Sequence, residues 1–224
     1  MAIDVANDAG GREQLFALGV RTVPVVALGT QYVFAQNLED VAEFVGLQGT
    51  GHTPLPPEAL IDRWTTVLRT AQRHIRQMPA DRMGERVIDN RDRSIRSMGH
   101  HVFRIAEAFL EAVEDGVDYT PQLASAGPQD VDLASGTEIA AYGDMVILRL
   151  GRWWEGLADR SCRAGVNTFF GKQPVSALFE RSTWHSAQHV RQLAAVLERF
   201  GIEPEGHLAP ETLAGLPLPE GLWE

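Results

Sequence analysis

From Pro57 to Phe200 the apolar residues recur at intervals of three and four, the period of helices that bury one face. Ala59, Leu60, Trp64, Val67, Leu68, Ala71 and Ile75 mark a first helix that ends near Pro79. Arg93 to Val113 reads as a second, with Met98, His101, Val102, Ile105, Phe109 and Leu110 on its apolar side. Ser135 followed by Glu138 is a capping-box signal for a third, carrying Ile139, Met145, Val146, Leu148, Leu150, Trp153 and Trp154. Pro174, tolerated in a first helical turn, opens a fourth that runs to Phe200 and stops at Gly201. Four amphipathic helices of this length predict a mainly α protein built as an antiparallel four-helix bundle over residues 58–202. After it, residues 203–224 hold four prolines and read as an irregular tail.

The N-terminal residues follow another pattern. Arg12 to Leu18 is a short helical stretch ending at Gly19, and the β-branched run Val20 to Leu28 reads as a strand. Gly29 and Thr30 turn the chain, Gln31 to Ala35 returns as a strand, and Leu38 to Val45 is a helix with Asn37 as its cap. Residues 1–48 are thus a small α/β unit, too short to bury a good core alone, and the Gly- and Pro-rich residues 49–57 are a linker. The net charge of -10 argues against nucleic acid as a partner, because affinity for phosphates comes from Lys and Arg. No apolar stretch is long enough to span a bilayer and no signal-peptide pattern opens the chain, so the expected location is cytoplasmic, with no membrane partner. The single cysteine, Cys162, permits no intrachain disulfide.

Chemistry concentrates on histidines. His185 and His189 stand at i and i+4, one turn apart on one helical face, and Leu178, Ser182, Gln192 and Val196 continue the same stripe. Two imidazoles in a bundle interior need partners for their ring nitrogens, which a metal ion supplies. The second helix offers His100 and His101; consecutive residues differ by about 100° around the axis, so only one can face inward. His101 shares its face with Met98, Ile105 and Phe109 and is the better candidate. Three imidazoles from two helices leave open positions on a metal, as in a catalytic site, and zinc, nickel or iron would accept them.

The stretches SIRSMGHHVF (94–103) and ERSTWHSAQHVRQL (180–193) resemble the two histidine-bearing helices of the DinB/YfiT-like superfamily, whose pattern is one histidine on the second helix and an HxxxH pair on the last. The resemblance covers roughly residues 58–202 and implies that His101, His185 and His189 are the metal ligands. It further implies a homodimer and the use of a low-molecular-weight thiol, as in the bacillithiol transferases and mycothiol-dependent isomerases among its members. The small-molecule partners would then be a thiol, glutathione or a similar one, and an electrophile. Arg21, Thr22, Val23, Pro24 and Val25, the Gly29 turn and LEDVAEFVGL resemble the second half of a glutaredoxin- or thioredoxin-like domain. In that family the proline matching Pro24 follows a cis bond and presents the backbone of the residue before it, here Val23, to a thiol peptide. The opening strand and CxxC helix are missing, which excludes CxxC redox activity; the fragment reads as a thiol-peptide platform, a brace or a truncation product.

Other residues carry weaker signals. Cys162 lies among Arg160 and Arg163, cations that can lower a thiol pKa, though a lone cysteine is more often an ordinary small residue. Arg152, Trp153 and Trp154 read as the mouth of a pocket or as core. Gln192 and Glu180 fall one to two turns from the histidine pair and read as supports for it. His52, His74 and His207 fall in the linker, on a polar helix face and in the tail. Three function classes compete: a metal-dependent thiol transferase or isomerase, a metal-dependent hydrolase that activates water, and a non-catalytic metal-binding dimeric module. No Glu adjoins the histidine pair as in HExxH enzymes, which weighs against the hydrolase.

Overall fold

Helices in this protein start either at a side chain that satisfies an orphan N–H of the first turn, as Asp8, Ser94, Thr120 and Ser135 do, or at a proline, as at Pro56–Pro57 and Pro174. The computed structural model describes residues 2–5, 7–21, 23–35, 38–47, 52–88, 92–127 and 133–223. They fall into two compact units, Met1–Thr53 and Pro54–Glu224.

In the smaller unit the Asp8 carboxylate accepts from the Gly11 N–H at 2.9 Å and caps α1 (Ala9–Ala17). Gly19, at φ +76°, turns the chain, and the Val20 N–H returns to the Leu15 carbonyl at 3.3 Å. Val20 is thereby tied to the helix end and does not begin the strand; β1 covers only Val25–Leu28. It pairs antiparallel with β2 (Gln31–Phe34), Val25 opposite Phe34 and Leu28 opposite Gln31, around a turn in which Gly29 takes φ +63°. The helix α2 (Leu38–Phe44) follows; its expected cap, Asn37, lies outside the described residues. Among the described residues of this unit, Leu15, Val20 and Ala42 are the buried apolar ones, a very small core.

The larger unit is mainly helical. Its long helices are α3 (Pro57–Gln77), α4 (Ile95–Glu114), α6 (Gly136–Gly156) and α7 (Val175–Arg199), with a short α5 (Pro121–Ser125) between α4 and α6. The Ser94 hydroxyl accepts from the Ser97 N–H and starts α4 two residues later than the sequence suggested. The expected capping box starts α6: Ser135 Oγ accepts from the Glu138 N–H while the Glu138 carboxylate accepts from the Ser135 N–H. α3 and α4 each pack along both α6 and α7, a helix-on-helix arrangement consistent with a bundle. Trp64, Phe103, Phe109 and Phe179 are completely buried between them, with the rings of Phe109 and Phe179 5.2 Å apart. Among the described residues no helix is long and apolar enough to cross a membrane.

Several sequence expectations need correction. Met145 and Leu148 are 66% and 55% exposed, because the buried stripe of α6 follows Ile139, Val146, Leu150 and Trp153 and both residues are rotated off it. Pro174 is not in the first turn of α7: it ends a hairpin, β3 (Gly165–Thr168) with β4 (Gly171–Pro174), that the sequence reading missed. GVNT and GKQP lack the β-branched, apolar run that marked β1, and Gly171 at φ +105° supplies the reversal. The tail is not simply irregular, since it forms α8 (Pro210–Leu213), buries Leu216 and packs onto α3.

Candidate metal centre

His101 sits two turns into α4, and His185 and His189 sit in the middle of α7. A buried chain of hydrogen bonds locks the two helices in register beside them. The Trp64 indole N–H donates to Ser186 Oγ at 3.0 Å, and Ser186 Oγ donates to the Val102 carbonyl at 3.3 Å. Ser186 adjoins His185 and Val102 adjoins His101, so α3, α4 and α7 are pinned at the point where the imidazoles meet.

The three rings converge. Their centroids are 5.3 Å apart for His101 and His185, 5.0 Å for His101 and His189, and 4.8 Å for His185 and His189. One ring nitrogen from each lies within 4.8 Å of the others, and the His185 and His189 Nε2 atoms are 3.1 Å apart. Bonds of about 2.1 Å at a tetrahedral zinc place ligand nitrogens about 3.4 Å apart. The His185–His189 spacing is within a few tenths of an ångström of that, and His101 is within reach of a small side-chain adjustment. The donor set therefore fits a divalent ion that accepts imidazole.

Electrostatics agree with ligand duty. Burial lowers the His101 pKa to about 2, with His189, Arg93 and His100 adding to the effect. Burial also holds His185 well below the usual imidazole value, and His189, His101, Arg181 and Arg93 push it the same way. Both rings are consequently neutral at pH 7, with a lone pair free to bind a metal. Gln192 fixes the third. The His189 Nδ1–H donates to Gln192 Oε1 at 2.7 Å, which leaves Nε2 as the acceptor. Gln192 is itself held by the tail, its Nε2 donating to the Leu222 carbonyl at 2.8 Å; Gln188 donates to the same carbonyl at 2.7 Å. Arg93 Nη1 approaches His189 Nε2 at 3.4 Å, and a small cavity of about 20 Å³ opens there between Arg93, Met98, Gln192 and Trp223.

The remaining candidates sort plainly. The Glu180 carboxylate accepts from the Leu55 N–H at 2.8 Å. His100 is buried as well as His101, contrary to the one-face expectation, because fourteen residues of α4 are buried and the helix is covered on several sides. It faces α6 and stacks on Tyr142 with centroids 5.1 Å apart. His74 is on no polar face: it is 1% exposed, with Nε2 3.3 Å from the Gly206 carbonyl. Cys162 is buried, and burial with Asp159 and Glu58 nearby pushes its thiol up to about 11, the reverse of activation. Trp153 is core, edge-on to Phe109 and Phe179, while Arg152 is exposed. Val23 and Pro24 are exposed residues of the smaller unit, joined by a cis peptide bond; Thr22 lies outside the described residues. Sequence reasoning missed Trp64, Ser186 and the tail as parts of the site: Trp64 reads only as helical core, and no periodicity marks Ser186 or the tail. Compared with protein-family models, the chain matches none, and no curated protein matches it either.

Proposed function

We propose that the four long helices form an antiparallel bundle of the DinB/YfiT-like kind and that the protein is a metal-dependent enzyme using a low-molecular-weight thiol, glutathione or a similar one, for transfer to an electrophile or for isomerisation. The observation that carries the reading is the buried convergence of His101, His185 and His189 with no carboxylate in the group. When bound, zinc, nickel or iron would supply a positive centre that lowers the pKa of a thiol so that it reacts as an anion at neutral pH. The chain's own residues set that up. His101, His185 and His189 would hold the ion through imidazole ligands that do not cancel its charge, and Gln192 orients His189.

Water activation is the weaker reading, because the described residues place no Asp or Glu with the triad to serve as a general base. The Val23–Pro24 fragment, read as a thiol-peptide platform, and a homodimer belong to the same proposal. The test is to follow thiol consumption by the full chain, loaded with zinc or nickel, with glutathione and a chlorodinitrobenzene electrophile. Turnover that needs both metal and thiol, is lost in His185→Ala and persists in Cys162→Ser supports the reading. Metal-dependent ester hydrolysis without any thiol requirement would replace it with the hydrolase, and loss of activity in a metal-loaded Cys162→Ser would refute the mechanism.

A further inference from the structure

Arg181 is a largely buried cation that has no anionic partner among the described residues. Its Nε and Nη1 atoms are shielded from solvent and make no hydrogen bond. The guanidinium instead lies 5.1 Å from the ring of Phe170, in the β3–β4 turn, and 5.6 Å from that of Trp184. Tyr119, almost wholly buried nearby, offers only a phenol, whose pKa burial raises further, so it brings no negative charge at neutral pH. The protein treats another buried arginine very differently: Arg104 is gripped by Glu111 through two nitrogens, at 2.8 and 2.7 Å, and by Glu107 at 2.6 Å. A hydrophobic residue in the place of Arg181 would avoid the cost of an unpaired buried charge. An arginine kept there, with two planar N–H donors unused, is a receptor for an anion that arrives from outside.

Its position says which anion. Arg181 precedes His185 by four residues on α7, one turn along the same face, about 6 Å of helix rise. Among the described residues the charged groups acting on His185 are His189, His101, Arg181 and Arg93, none of them a carboxylate. A ligand whose reacting end meets the triad thus has a buried guanidinium fork one helical turn away, walled by flat aromatic rings. One unpartnered guanidinium neutralises one negative charge, and a carboxylate matches its fork.

We propose that Arg181 receives a carboxylate of the small molecule bound at His101, His185 and His189, and so selects carboxylate-bearing ligands. The placement of the ligand's reacting end rests on the metal-and-thiol reading above; the carboxylate recognition rests on Arg181 itself. The carboxylate can belong to the thiol or to the electrophile.

The experiment uses the full chain reconstituted with cobalt(II), whose visible spectrum reports thiol binding, titrated with 2-mercaptoethanol and with 3-mercaptopropionate. Fumarate, a dicarboxylate without a thiol, is titrated separately by calorimetry, with and without cobalt. A carboxylate on the thiol predicts that 3-mercaptopropionate binds at least about tenfold more tightly than 2-mercaptoethanol. Arg181→Met should abolish that advantage and leave the 2-mercaptoethanol response intact, which also shows that the variant is folded, while Arg181→Lys should keep part of it. A carboxylate on the electrophile predicts equal binding of the two thiols and fumarate binding that Arg181→Met removes. If no carboxylate probe distinguishes the native chain from a folded Arg181→Met, the inference is overturned. Failure of the metal reading looks different: cobalt is not retained, and the fumarate arm without cobalt still decides the role of Arg181.

Discussion

Gln192 shows how a residue outside the candidate ligand set can orient a member of it. Its Oε1 takes the His189 Nδ1 proton and its Nε2 is anchored on the Leu222 carbonyl, so the ring is held with Nε2 turned toward His185. Removing such an outer partner typically costs 10- to 100-fold in metal affinity. Gln192→Ala is therefore expected to weaken zinc binding by about that factor in competition with a chromophoric chelator, and unchanged affinity would show that the carboxamide does not orient the ring. The i, i+4 pair and its stripe were legible in the sequence because helical spacing alone puts them on one face. The partner of Gln192 was not, since a backbone carbonyl thirty residues away leaves no mark in composition or period. His100 illustrates the opposite limit. A one-face argument assumes a helix covered on one side, whereas α4 buries residues on several sides and hides both neighbours.

At the scale of elements, those with a period or a turn signal were readable and the others were not. Period located α3, α4, α6 and α7 to within a few residues, and the β-branched run with its Gly29 turn located β1 and β2, whereas β3, β4, α5 and α8, four or five residues each, carry neither signal. Packing also imposes demands that period does not reveal. Gly136 opens α6 where a side chain would run into the backbone carbonyl of Ile75 in α3, which a rotamer change cannot move aside. Gly136→Ala should lower unfolding stability by at least about 2 kcal/mol, even though alanine is the better helix former. Chemical denaturation measures this, and a neutral or stabilising result would mean that the α3–α6 approach is looser than the structure has it. Pro174 makes a related point: a proline before a helical pattern marks a boundary, but whether it lies in the first turn or ends a strand depends on the hairpin behind it.

For the whole molecule, buried neutral histidines link folding to pH. His74, His100, His101 and His185 all have pKa values lowered by burial, so the folded chain binds fewer protons than the unfolded one once pH falls through the ordinary imidazole value near 6.5. Their cost is absent above that pH and grows as pH drops, for His101 down to about 2. With a chelator present, Tm should accordingly be lower at pH 5 than at pH 7.5; a flat or rising Tm would contradict the burial of these rings in their neutral form. Bound metal should raise Tm at neutral pH and lose that effect in acid, because protons and the ion compete for the same nitrogens. The central claim is that the three histidines hold an ion. Elemental mass spectrometry on the chain purified without a histidine tag, alongside His101→Ala and His185→Ala, tests it most directly. About one divalent metal per native chain and little in either variant is the predicted result; a metal-free native chain, or variants that retain metal as the native chain does, would contradict it.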